Sequence, residues 1–85
     1  MQFEAELVHA DETGGWTVFE APGSNEAFGT GNPVRVVGTL DEIPVALTLM
    51  PSGRGFHLGP VKAATRKQLG KDAGDHVTVR IEAAS

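Results

Sequence analysis

Apolar and polar positions alternate along most of this chain, and the alternation breaks about every eight to twelve residues at glycine, proline or a small acidic cluster, the pattern of an all-β barrel or sandwich. Phe3, Ala5 and Leu7 interleave with Gln2, Glu4 and Glu6, which predicts a first strand with one dry and one wet face. The run Asp11-Glu12-Thr13-Gly14-Gly15 ends it as a turn. Residues 16–21 form a second strand that is apolar on both sides, Trp16 and Val18 against Phe19 and Ala21, which implies burial on two faces or contact with a loop. Pro22 closes that strand. Residues 22–32 read as a long irregular connection, with one helical turn around residues 25–28 that tucks Phe28 onto the barrel.

Val34, Val36, Gly38 and Leu40 share a face, and after Asp41-Glu42 the set Ile43, Val45, Leu47 and Leu49 continues the alternation, so strands three and four form a hairpin. Gly38 inside a strand fits a bend that helps to curl a sheet closed. Residues 51–55 are a turn and residues 56–58 a short fifth strand. Gly59-Pro60 then opens a helix over about residues 60–69, with proline at its first position. On it Val61, Thr65 and Leu69 face inward with Ala64 beside them, while Lys62 and Arg66 form an outward stripe. Gly70 stops the helix. Residues 76–82 alternate most cleanly of all, with Val77, Val79 and Ile81 on one side and Thr78, Arg80 and Glu82 on the other. The expected architecture is mainly β: one domain over residues 1–85, a small closed six-stranded β-barrel with one short helix capping an end.

Composition narrows the chemistry. With 85 residues, 40% apolar content and no cysteine, the chain has no disulfide framework, thiol nucleophile or zinc-thiolate site, and its stability must come from packing. His9, His57 and His76 are too scattered to suggest a metal cage, so neither a metal nor a cofactor is expected. No apolar stretch approaches the ~20 residues a membrane helix needs. The opening residues 1–6 carry acids where a secretory leader carries bases, which makes the cytoplasm the expected location.

Charge is divided rather than mixed. Net charge is -4, which disfavours a general nucleic-acid binder. Residues 1–42 sum to -7 and residues 43–85 to +3, and residues 43–71 hold five bases and no acid. The simplest expectation is that the two halves neutralise each other in the folded domain.

No nucleophile–base pair, carboxylate pair or metal set appears at a recognisable spacing, so no catalytic residue is assigned and an enzymatic role is disfavoured. The candidates are single residues. His57, near Arg54 in sequence, could act as a general base or an anion ligand, although a lone histidine is more often a surface or barrel-mouth residue. Gly53-Arg54-Gly55 has the glycines and base of a phosphate-cradling turn without the spacing of one, and reads as a hairpin turn. Asp72 and Asp75 bracket Gly74 as turn-capping acids. Lys62 and Arg66, four apart and alike in charge, call for an anion nearby, either a carboxylate such as Glu20 or a ligand. Trp16, after two glycines, could line a groove but is expected in the core, along with Phe3 and Phe56. The tentative ligand-binding set is Arg54, His57, Lys62 and Arg66.

Read in order, Gly15-Trp16-Thr17-Val18-Phe19-Glu20-Ala21-Pro22, Pro33-Val34-Arg35-Val36-Val37-Gly38-Thr39-Leu40-Asp41, Leu49-Met50-Pro51-Ser52-Gly53-Arg54-Gly55-Phe56-His57-Leu58, Arg66-Lys67-Gln68-Leu69-Gly70 and Gly74-Asp75-His76-Val77-Thr78-Val79 resemble a bacterial domain-of-unknown-function family, the one numbered nineteen-oh-five. The resemblance runs over about residues 3–82. It implies a closed barrel of the double-split type, found alone or ahead of a second domain of the YdeI or OmpD-associated kind, and no established activity. Glu42 departs from it, because such sequences usually carry glycine there; glutamate resists positive φ, so a wider or strained turn is expected. The tail, with its arginine-bearing helix and alternating valines, is also similar over some twenty-five residues to the swapped-hairpin DNA-binding domains of the AbrB and MazE type, which implies a dimer. The acidic first half departs from a DNA-contacting arm, and no DNA-contacting residue is carried over.

The function expected from all of this is a non-enzymatic binding or interaction module, monomeric, whose basic segment receives a small anionic ligand or an acidic protein partner. An AbrB-like or MazE-like DNA-binding regulator is the alternative.

Overall fold

The computed structural model describes residues 1–11 and 14–84. Six antiparallel strands, β1 (Gln2–Ala10), β2 (Trp16–Ala21), β3 (Val34–Leu40), β4 (Ile43–Pro51), β5 (His57–Pro60) and β6 (His76–Ala83), close into a barrel in the order β1-β2-β5-β4-β3-β6. Two short helices, α1 (Ser24–Phe28) and α2 (Ala63–Leu69), interrupt the strands. The expected turn at residues 11–15 includes Glu12 and Thr13, which lie outside the described residues.

Alternation in sequence becomes inside and outside in the barrel. Leu7, Phe19, Ala21, Val36, Leu40, Leu49, Val77, Val79 and Ile81 fill the interior with Val61, while Phe3, Val34, Val45 and Leu47 pack against them half-buried. The doubly apolar β2 is buried on both faces as its sequence implied. Phe19 points into the barrel, whereas Val18 joins Leu58 and Ala10 in a second cluster on the opposite face, flanked by Val8 and Phe56.

Two glycines let the wall close. A Cβ on Gly38 would stand 1.8 Å from the Arg80 carbonyl oxygen, so only glycine allows β3 and β6 to approach at this point. Gly59 lies opposite Phe19 in the β2–β5 ladder, and a Cβ there would stand 2.0 Å from the phenyl ring, which occupies the space a side chain would need.

Three expectations are corrected. The helix begins at Ala63, not at Pro60: Pro60 is the last residue of β5, paired with Val18, and the Val61 amide donates to the Thr17 carbonyl at 2.9 Å. Lys62 is therefore the extended residue that caps α2, with φ -66° and ψ 155°, and shares no helical stripe with Arg66. Of the inward face expected on that helix, Val61 is buried but precedes α2, Thr65 and Leu69 are half-buried, and Ala64 is exposed. Trp16 is not a core residue; it is 49% exposed. Phe3 and Phe56 reach only the margins of the two clusters.

The β3–β4 turn is strained rather than wide. Leu40 pairs directly with Ile43, and the two residues between them have φ of 47° at Asp41 and 75° at Glu42, the left-handed backbone of a type I′ turn. The tail that is similar to swapped-hairpin proteins contributes α2 and β6 instead, and β6 pairs with β1 and β3 of the same chain.

Candidate functional site

The charged halves do meet across the barrel. Glu20 pairs with Arg54 at 3.2 Å, Asp41 with Lys71, and the Glu6 carboxylate stands 4.0 Å from the His76 ring. Asp41 is the best held of these acids. Lys71 donates to one of its oxygens, and the Thr78 amide donates to the other at 2.7 Å, which together hold its carboxyl below the ordinary value of 3.8, with Lys71 as the larger cause.

The four candidate ligand residues fall at two ends of the β2–β5 ladder. Arg54 and His57 flank the end where Ala21 faces His57, whereas Lys62 and Arg66 follow the end where Val18 faces Pro60. Arg54 sits on the turn 51–55, where its guanidinium bonds Glu20 and lies 4.9 Å from the centre of the Phe56 ring. Arg66, whose side chain is 24% exposed, donates from Nη1 to the Val61 carbonyl at 2.6 Å and from Nε to Asp72 at 3.2 Å. Its anion is therefore Asp72, brought back by the left-handed reversal at Gly70, and not Glu20.

His57 is neither a surface nor a mouth residue. It is fully buried, and both ring nitrogens are engaged. Nε2 faces the Asn32 carbonyl at 2.8 Å, and because a carbonyl can only accept, Nε2 carries the proton. Nδ1 then accepts from the Ser24 hydroxyl at 2.7 Å, and the same hydroxyl oxygen accepts the His57 amide N–H at 2.8 Å. Ser24 is also fully buried, and the Phe28 ring meets the imidazole edge-on. A serine bonded to a histidine recurs in hydrolases, but here a backbone carbonyl stands where an orienting carboxylate would, and the hydroxyl reaches no solvent. The pair ties α1 to β5.

Asp72 and Asp75 cap their turn as expected, Asp72 accepting the Ala73 amide and Asp75 accepting the Asp72 amide. Among the described residues no three His, Asp or Glu side chains stand at metal-ligand spacing.

Two grooves lie beside Trp16. One groove of about 520 Å³ is walled by Trp16, Pro60, Val61 and Ala63, with His9, Lys62 and Arg66 also lining it. A second groove of about 400 Å³ runs from the same Trp16 and Lys62 along β4 past Val45 and Leu47 to Arg35. The His9 ring lies over Gly15, within 3.1 Å of where a Cβ would be. Among the described residues Lys62 makes no ion pair. Trp16 and His9 escape a reading by alternation; Trp16 follows the Gly14-Gly15 pair and lies beyond Val18, where the β2–β5 ladder ends at Pro60.

No curated protein sequence matches the chain. The sequence profile of one family does, over residues 3–81, which covers both helices and β2–β5 whole and all but the outer ends of β1 and β6. The chain belongs to that family, Domain of unknown function (DUF1905).

Proposed function

We propose that this domain is a non-enzymatic binding module that receives an anionic ligand, or the acidic side chain of a partner, at the Trp16–Lys62 end of the barrel. The observation that carries the reading is Lys62: an exposed ammonium without a carboxylate among the described residues, fixed at its backbone between β5 and α2, on the rim of an apolar groove. Ligand sites are commonly apolar concavities of this size with a few convergent polar groups. Arg66 supports the site from below, since its guanidinium is already shared between Val61 and Asp72. Arg54 and His57 stand outside it, the first bound to Glu20 at the other end of the ladder and the second closed off by Ser24 and Asn32.

Thermal melts at low ionic strength with inorganic phosphate, acetate and a set of mono- and dicarboxylates test the reading. A ligand at 100 times its dissociation constant adds about 2.7 kcal/mol, which moves the midpoint of so small a domain by roughly ten degrees or more. The expected result is a shift with at least one anion that Lys62→Gln abolishes. Melts unmoved by every anion overturn it.

A further inference from the structure

We propose that the ligand of this groove is an aromatic carboxylate, a flat ring lying on the exposed face of Trp16 with its carboxylate at Lys62. The inference rests on the anion-binding reading above and adds the class of molecule.

Trp16 is the most exposed large apolar side chain in the described domain. An indole left half in water forfeits burial that a ring stacked on it restores, and aromatic pairs gain from offset or edge geometry beyond the area they cover. The backbone that carries the indole is paired: Trp16 stands opposite Ala10 in the β1–β2 ladder, and the Gly15 amide donates to the Ala10 carbonyl at 3.1 Å, so a ligand does not have to order the main chain there. Pro60, Val61 and Ala63 continue the wall without adding an acid, and the groove holds about 520 Å³, room for one or two rings.

Charge selects the other end of the ligand. Lys62 adjoins this apolar wall, His9 and Arg66 line the same groove, and among the described residues no acid does. A small anion without a ring would face only a hydrated ammonium, where attraction is weak, and would leave Trp16 wet. A neutral ring would cover Trp16 and leave Lys62 without a partner. A ring carrying one carboxylate covers the exposed part of Trp16 and pairs with Lys62 at once, which neither part does alone.

The chain has a single tryptophan, so its indole N–H gives one proton–nitrogen correlation peak, an unambiguous reporter in the groove. Titrations of the whole domain at low salt with 2-naphthoate, 2-naphthalenemethanol, acetate and inorganic phosphate separate the contributions. The expected result is saturable movement of the indole peak by 2-naphthoate, at concentrations at least ten-fold below those needed for the alcohol or for either small anion, with Lys62→Gln weakening naphthoate at least five-fold. If acetate or phosphate binds at Lys62 as tightly as naphthoate, the aromatic inference is overturned and the anion-binding reading survives. If naphthoate and the alcohol bind alike and Lys62→Gln changes neither, or if nothing moves the peaks of Trp16 and Lys62, both are overturned.

Discussion

The Ser24 hydroxyl and the His57 residue hold each other twice, the hydroxyl donating to Nδ1 and its oxygen accepting the His57 backbone N–H, across 33 residues of chain. Replacing Ser24 by Ala leaves a buried imidazole nitrogen and a buried amide without partners at one stroke. Each such group costs about 1–3 kcal/mol when left unsatisfied, so Ser24→Ala is expected to lower stability by at least about 2 kcal/mol, as measured by urea unfolding. A loss below about 0.5 kcal/mol would show that water reaches this pair and that it does not tie α1 to β5.

Glu42 holds φ at 75°, a conformation in which an L side chain costs about 1–2 kcal/mol. Glycine removes that cost and adds unfolded-state freedom worth about 0.4–1 kcal/mol. Glu42→Gly should therefore stabilise the domain by about 0.5–1 kcal/mol, whereas Glu42→Val should destabilise it because a β-branched residue resists positive φ more strongly. Thermal melts of the two variants rank them against the parent.

Asp41 shares that turn, and its carboxylate docks the turn on β6 through Thr78 and on the 70–75 loop through Lys71. Its carboxyl is held below the ordinary 3.8, so the unfolded chain takes up this proton before the native one does. The stabilisation is present above about pH 3.8 and is lost as pH falls from there through the folded value. Asp41→Asn keeps a residue that tolerates the left-handed backbone but removes the charge, and is expected to cost about 1 kcal/mol at neutral pH. The gap between parent and variant should narrow as pH drops through that window, which unfolding curves at a series of pH values would reveal.

Arg66 joins Val61 to Asp72, and the two contacts differ in what salt does to them. Asp72 is 74% exposed at its side chain, so the ion pair is screened and worth little, while the bond to the Val61 carbonyl is partly buried. Arg66→Ala should lose about 1 kcal/mol, most of it persisting at high salt, and Arg66→Lys should recover less than half because one ammonium cannot reach both acceptors in the planar arrangement. A loss that vanishes entirely in high salt would mean the ion pair alone mattered.

Local alternation determined much of this protein. The strands around Val18, the hairpin from Val34 to Leu49 and the clean repeat of Val77, Val79 and Ile81 were legible because period-two burial is written in successive residues. What stayed illegible depends on partners distant in sequence. Pro60 followed by a helical pattern looks like a helix start, yet the Thr17 carbonyl takes the Val61 amide, and that bond keeps the chain extended until Lys62. His57 gave no sign of burial because its partners, Ser24 and Asn32, lie 33 and 25 residues away. Trp16 continues the β2 pattern but stands beyond Val18, where the β2–β5 pairing stops at Pro60 and no further strand covers the indole. The sequence by itself thus determined which segments are strands and which faces are dry; barrel closure decided which polar groups are buried together and which aromatic is left facing a groove, because those outcomes follow from register and strand ends rather than from neighbouring residues.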